Sequence, residues 1–283
     1  ITTLGADCAS PGEIYAAELA GIQPDECIYT GNYESPEDLD YALKAGVHIN
    51  LDDITSFYRL KSIGLPNDIA FRLNPGFGKG AFSQIITGGE NSKFGVPQFD
   101  IVNAYRLAKE TGIPKFGIQC MTGSGVLDSK YYPKLMIEIL KTVKLLKNEL
   151  DIHMDYISLG GGYGIPYQDD EVRLDFEQVF RDVSKHFYSY FEKRNESKPA
   201  LWIEPGKSVV GDAGILLTRV TGIKESYKEA GYTSGRINTN GKSSWKYGRF
   251  EIRAKIPKQK GVWPAIWLLS ETIFTDGWPK CGE

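Results

Sequence analysis

The sequence predicts an α/β fold, an incomplete (β/α)8 barrel followed by an antiparallel β segment. Two observations carry this prediction. Up to about residue 224, short apolar strands alternate with helical stretches, the rhythm of a parallel sheet. After Glu225 the helical patterns stop, and Tyr232 to Pro257 reads as aromatic and β-branched strands split by Asn-Gly-type turns. Tryptophan marks the same break: Trp245, Trp263, Trp267 and Trp278, four of the five, fall in the last 39 residues. The expected division is therefore 1–224 for the barrel-like part and 225–283 for the β segment, with a seam somewhere within Val220–Tyr227.

Seven strands are expected in order: Leu4–Ser10, Cys27–Thr30, His48–Leu51, Asp68–Leu73, Phe116–Met121, Tyr156–Leu159 and Leu201–Glu204. Each ends in small or polar residues. Helical patterns separate them. Glu13–Leu19 follows a Pro-Gly pair, Pro36–Lys44 follows Ser35 as an N-cap, and Ile54–Ser62 follows Asp52 and Asp53. Longer helices are expected over Asp100–Thr111, Tyr132–Leu150 and Asp175–Asn195. Within Tyr132–Leu150, the apolar Leu135, Ile139, Val143 and Leu146 recur at spacings of three and four, one face of a helix. Eight strand–helix units close a barrel; seven are visible. Ile1 opens directly into strand-like sequence without an initiator Met, which reads as the start of a piece with something missing upstream.

Composition narrows the function classes. At 283 residues with 41% hydrophobic and 24% charged residues, the chain has the makings of a packed core. The net charge of −3 gives no reason to expect nucleic acid or an anionic membrane as partner. From Glu225 onward there are ten Lys/Arg against six Asp/Glu, leaving 23 against 30 before it. In the tail the basic residues alternate with strand residues, as on a solvated sheet face. Cys8, Cys27, Cys120 and Cys281 form no CxxC pair and no metal spacing with the three histidines, so free thiols in a reducing compartment are expected. No apolar run reaches the roughly 18 residues of a membrane span.

In a barrel of this kind the chemistry lies at the C-terminal ends of the strands. Gly160–Gly162 directly follows an apolar strand. Consecutive glycines let backbone N–H groups approach an anion without a Cβ in the way, which suits a phosphate; a plain loop is the alternative. Glu204 ends another strand, just before Pro205-Gly206-Lys207. A carboxylate there accepts a proton from a ring nitrogen and holds the ring cationic; the alternative is a glutamate capped by, or paired with, Lys207. Arg72 and Asp7 also lie at strand ends, where they bind carboxylates, position a lysine, or form buried structural pairs.

Taken together, Asp7-Cys8-Ala9-Ser10-Pro11-Gly12-Glu13, Arg72-Leu73-Asn74-Pro75-Gly76, Ser92-Lys93-Phe94-Gly95, Leu159 through Tyr167 and Glu204-Pro205-Gly206-Lys207 resemble the alanine-racemase-type decarboxylases that use pyridoxal 5′-phosphate (PLP), diaminopimelate decarboxylases above all. The resemblance covers roughly residues 1–224. It implies that Gly160, Gly161 and Gly162 cradle the PLP phosphate, that Glu204 pairs with the pyridine nitrogen, and that Asp7 lies near the cofactor lysine. Gly206 and Lys207 would stand near the phosphate or the substrate carboxylate, Lys207 where the family usually carries an arginine, and Arg72 would serve the substrate. It further implies an amino-acid substrate, a cytoplasmic enzyme and a homodimer. Two departures follow from the same resemblance. The Schiff-base lysine is expected on a strand upstream of Ile1, so the chain as written is expected to form no covalent link with PLP. A histidine that stacks on the PLP ring is expected around Gly117–Ser124, where this sequence has Gln119-Cys120-Met121 instead.

The tail resembles another family. Tyr232–Ile237, Lys246–Ala254, Gly261–Trp267 and Gly277–Glu283 are similar to glycoside hydrolase family 16, β-glucanases with a jelly-roll fold, which implies a partial jelly roll here. In that pattern three carboxylates share one face of a strand. Glu283 would hold the nucleophile position, and the acid/base glutamate four positions on is not in the sequence. Trp263, Trp267 and Trp278 would stack on a β-glucan or fill the jelly-roll core. Such glucanases are normally secreted, unlike the decarboxylases, which favours a chimeric or misassembled chain with at most cofactor binding.

Overall fold

The computed structural model describes residues 4–80, 86–167 and 170–214, and the backbone of 223–225 and 233–235. The chain divides into two compact units, Ile1–Ile215 and Leu216–Glu283.

In the first unit, β1 (Ala6–Cys8), β2 (Cys27–Tyr29), β3 (His48–Leu51), β4 (Asp68–Asn74), β6 (Lys115–Gln119), β7 (Tyr156–Ser158) and β8 (Ala200–Trp202) pair in that order, and every pairing is parallel. A two-residue strand, β5 (Val96–Pro97), pairs beside the end of β4. The helices α1 (Pro11–Leu19), α2 (Pro36–Ala45), α3 (Ile54–Ile63), α4 (Ile101–Glu110), α5 (Tyr131–Leu150) and α6 (Phe176–Glu192) alternate with the strands, and a short α7 (Gly206–Val210) follows β8. The sheet curls: the His48 ring on β3 lies 4.9 Å from the Trp202 ring on β8, across strands that are not neighbours. Among the described residues no pairing joins β8 to β1, so the sheet is a part-barrel, as the strand count predicts.

Local chemistry sets where each helix starts. Ser10 accepts from the Glu13 N–H at 3.3 Å, and the Glu13 carboxylate accepts from the Ala9 N–H at 2.6 Å. Ser35 and Asp38 cap α2 reciprocally, at 3.1 and 3.2 Å. Asp53 caps α3 through the Ser56 N–H at 3.0 Å. Burial works against the Asp53 charge, but bonds from Thr55 and Ser56 outweigh it and hold its carboxyl below the ordinary value. Each cap stabilises its helix by about 1 kcal/mol. Helix α5 then buries Leu135, Met136, Ile139, Val143 and Leu146 against the sheet, the face that the three-and-four spacing predicts.

On the concave face the lower layer is aromatic. Tyr156 stacks on Trp202 at 4.1 Å, and the His48 ring meets both edge-on. Gly117 makes this possible: a Cβ there would run into the Tyr156 ring. His48 Nδ1 contacts Asp68 Oδ1 at 2.8 Å and Nε2 contacts the Asp25 carbonyl at 3.0 Å. Both ring nitrogens therefore face acceptors, which suits an imidazolium. Burial opposes that charge, but Asp68 and Asp25 outweigh it and raise the His48 pKa. The strand expected over Leu4–Ser10 is shorter, Ala6–Cys8, because Ser10 leaves the sheet to cap α1.

In the second unit, β9 (Ile223–Glu225) and β10 (Thr233–Gly235) form an antiparallel pair, with Lys224 opposite Ser234. The remaining expectations for the tail, including Trp263, Trp278 and Glu283, lie outside the described residues. Among the described residues, no helix is long and apolar enough to cross a membrane.

Candidate active site

The C-terminal ends of the strands converge on a polar layer above the aromatic one. Glu204, two residues past β8, is its centre. Ser158 Oγ on β7 donates to Glu204 Oε1 at 2.6 Å, and Gln119 Nε2 on β6 donates to Oε2 at 2.9 Å. The Glu204 N–H donates to the Gly160 carbonyl at 3.0 Å, which ties this residue to the glycine loop. Burial raises the Glu204 pKa; the Ser158 and Gln119 bonds and the Arg72 charge pull it down without cancelling the rise. Glu204 is therefore held by side-chain donors from two other strands. The alternative reading, a Glu204–Lys207 pair, is not what forms: the Lys207 ammonium donates to Ser124 Oγ at 3.2 Å and lies 5.7 Å from the Tyr167 ring.

The glycine loop packs backbone against backbone. A Cβ on Gly160 would stand 2.6 Å from the Cys120 carbonyl oxygen, and one on Gly161 would stand 2.6 Å from that of Glu204. Gly160 and Gly162 also have φ of 64° and 90°, a region that side chains disfavour. The loop is fastened to the next strand end by the Val126 N–H to the Gly162 carbonyl at 2.9 Å and the Gly164 N–H to the Val126 carbonyl at 3.0 Å. The N–H groups of Gly161 and Gly162 have no acceptor among the described residues. These are the donors that an anion would take, so the cradle fits a phosphate.

Arg72 on β4 is buried. Its Nη1 pairs with Asp52 Oδ1 at 3.2 Å, its Nη2 donates to the Met121 carbonyl at 3.0 Å, and the guanidinium lies 4.8 Å from the Phe94 ring. Asp52 also accepts from Asn32 Nδ2 at 2.6 Å and from the Gly95 N–H at 3.2 Å. Burial raises the Asp52 pKa against the opposing effect of these partners. Both sequence readings of Arg72 therefore meet in one residue: it stands at the mouth and is held there by a buried ion pair. Asp7 lies on β1 and is exposed, and Gly206 opens α7.

The structure thus brings together Gly160–Gly162, Glu204 and Lys207 around one mouth. Sequence reasoning passed over Ser158, Asn32 and Asp52 as site residues, and met Gln119 only as the absence of a histidine. Ser158 and Gln119 carry a signal in hindsight: each is a polar residue at the inward end of an apolar strand.

Residues 2–211 match the family described as pyridoxal-dependent decarboxylase, pyridoxal binding domain. The chain belongs to that family, whose cofactor is PLP. Among its relatives is the diaminopimelate decarboxylase of Methanothermobacter thermautotrophicus, 37% identical over 236 residues, covering 83% of this chain and 55% of that protein. The solved diaminopimelate decarboxylase of M. jannaschii in complex with L-lysine is 30% identical, with a TM-score of 0.68, covering 79% of this chain and 52% of that one. The Helicobacter pylori enzyme complexed with L-lysine gives 26% identity and a TM-score of 0.67 over 78% of this chain and 55% of that one. The chain spans about half the length of the relatives it matches. Residues 184–279 also match glycosyl hydrolases family 16. The first part of that match, up to Val210, falls on α6, β8 and α7 of the part-barrel.

Proposed function

We infer that residues 1–224 are the cofactor-binding part of a PLP-dependent amino-acid decarboxylase of the diaminopimelate decarboxylase type. The observation that carries this reading is the meeting, at one strand-end mouth, of a glycine cradle with unused N–H groups and a glutamate held by two neighbouring strands. When bound, PLP supplies an electron sink for the carbanion left as carbon dioxide departs. Gly161 and Gly162 would hold the phosphate through their N–H groups, with Gly160 shaping the turn and Lys207 adding charge nearby. Glu204 would hold a proton on the pyridine nitrogen; its two donors orient the carboxylate for that contact. Arg72, Asp7 and Gly206 would complete the mouth, and Arg72, held by Asp52, would serve the substrate carboxylate. Loss of one carboxylate from diaminopimelate leaves lysine, the ligand of the solved relatives named above, which supports that substrate.

Equilibrium dialysis with PLP tests the reading. Saturable one-site binding that is abolished in Gly161→Val and weakened in Glu204→Gln is expected; binding that both variants leave unchanged would overturn it. A cytoplasmic homodimer is the arrangement that the family resemblance supports.

For residues 225–283 a second reading rests on the family 16 match. We infer there a piece of a β-glucanase-type jelly roll joined to the decarboxylase part as a chimera; Trp263 and Trp278 lie within the match and would bind a glucan, and Glu283, beyond its end at residue 279, would hold the nucleophile position by the sequence resemblance. Binding of laminarin to the isolated whole chain, retained in Glu204→Gln and lost in Trp263→Ala with Trp278→Ala, is the expected result.

A further inference from the structure

One buried acceptor at the mouth is left over. Gln119 is only 2% exposed. Its amide is fixed by chemistry, because Glu204 Oε2 at 2.9 Å is an acceptor and obliges the NH2 group to point toward it. The other end, Oε1, then faces away from Glu204, and no donor among the described residues reaches it. The side chains beside it have donors but use them elsewhere. Arg72 stands directly opposite Gln119 on the neighbouring strand, yet its guanidinium donates to Asp52 and to the Met121 carbonyl. Ser158, opposite on the other side, donates to Glu204. A buried carbonyl with no partner costs about 1–3 kcal/mol, so a position of this kind is retained where something else fills it.

We propose that Gln119 is a ligand-positioning residue whose amide oxygen accepts a hydrogen bond from an N–H or O–H donor of the bound cofactor–amine. The inference rests on the PLP reading above and deepens it. The amide works at both ends: Nε2 steadies the Glu204 carboxylate, and Oε1 takes a donor from the molecule that Glu204 binds. Neither neighbouring strand brings a donor to it: the recorded bonds of Arg72 and Ser158 go elsewhere, and no described residue reaches the oxygen. The donor has two possible sources, the ring hydroxyl common to all forms of the cofactor, or the ammonium that the amine form carries in place of the aldehyde.

Two ligands separate these sources: PLP, which has the aldehyde, and pyridoxamine 5′-phosphate, which has an ammonium at the same carbon. Their dissociation constants are measured by quenching of protein fluorescence for the unaltered chain, Gln119→Met and Ser158→Ala, with circular dichroism and thermal melting as the check on folding. Gln119→Met keeps the length of the side chain and removes both polar ends. Ser158→Ala takes one donor from Glu204 and the acceptor of the Gly160 N–H, and leaves the Gln119 oxygen in place. The expected result is a loss of about tenfold or more for Gln119→Met, equivalent to one hydrogen bond of about 1.4 kcal/mol, and a smaller loss for Ser158→Ala. A loss confined to pyridoxamine phosphate assigns the donor to the ammonium; an equal loss for both ligands assigns it to the ring. Equal effects of Gln119→Met and Ser158→Ala on both ligands would show that Gln119 acts only through Glu204 and would overturn the proposal. Unchanged binding in a folded Gln119→Met would do the same. Absence of binding by the unaltered chain would instead defeat the PLP reading and this inference with it, an outcome distinct from the other two.

Discussion

The base and the mouth of the part-barrel are both buried and both contain charged groups, but they settle their polar atoms differently. At the base, His48 uses both ring nitrogens, on Asp68 and on the Asp25 carbonyl, and Asp68 also lies 3.4 Å from the Tyr156 hydroxyl. At the mouth, Glu204 and Arg72 are each doubly held, yet the Gln119 oxygen and the N–H groups of Gly161 and Gly162 have no partner among the described residues. Apart from Asn50 Oδ1, two residues along β3 from His48, the base closes its account of hydrogen bonds, which marks a region whose work is stability. An open one, built on the same strands, marks a region that completes itself with a ligand.

Substitutions at the two ends should therefore separate folding from binding. The largest stability loss is expected at the base: Tyr156→Ala removes a ring stacked on Trp202 and should cost about 3–5 kcal/mol in urea unfolding, while the folded fraction keeps its PLP affinity. A selective loss of PLP affinity in that variant would break the distinction. Next comes Gly162→Val at the mouth, where a side chain meets both a φ of 90° and the Gly123 carbonyl. It should cost about 2–3 kcal/mol and abolish PLP binding.

Glu204→Gln sharpens the contrast from the other side. Because the folded state raises the Glu204 pKa, its ionised form is disfavoured by folding, and that contribution to stability is lost as pH rises through the raised value. Neutralising it should change stability by less than about 1 kcal/mol, since one donor remains satisfied, and weaken PLP binding by about tenfold or more.

The smallest effect on binding is expected at the base, where a pH signature appears in stability alone. The raised His48 pKa favours the imidazolium in the fold. Its stabilisation is fully present below the ordinary histidine value of about 6.5 and is lost as pH rises through the raised one. Melting temperature should fall across that window in the unaltered chain, and His48→Gln should remove the slope and cost about 1–2 kcal/mol on its acid side. PLP affinity should not follow the same curve.

Much of this was legible along the chain. Strand His48–Leu51 matches its expected limits, and the helices beginning near Pro36 and Ile54 start where Ser35 and Asp53 mark their caps, because capping is a contact over three residues. Gly160–Gly162 and Glu204 stood out through local composition at strand ends. By contrast, the two-residue strand Val96–Pro97 and the five-residue α7 carry too short a pattern to be recognised.

Sequence alone determined the alternation of strands and helices, the class of fold, and which strand ends are polar, since periodicity and capping act over a few residues. Only the tertiary structure decided that Gln119 and Ser158, 85 and 46 residues away from Glu204, close on its two oxygens. It alone showed that Arg72 is held by Asp52, and that the Gln119 amide oxygen at the mouth has no partner among the described residues. Which donors are used up depends on which strands lie side by side, and that is a property of the curled sheet rather than of any stretch of sequence.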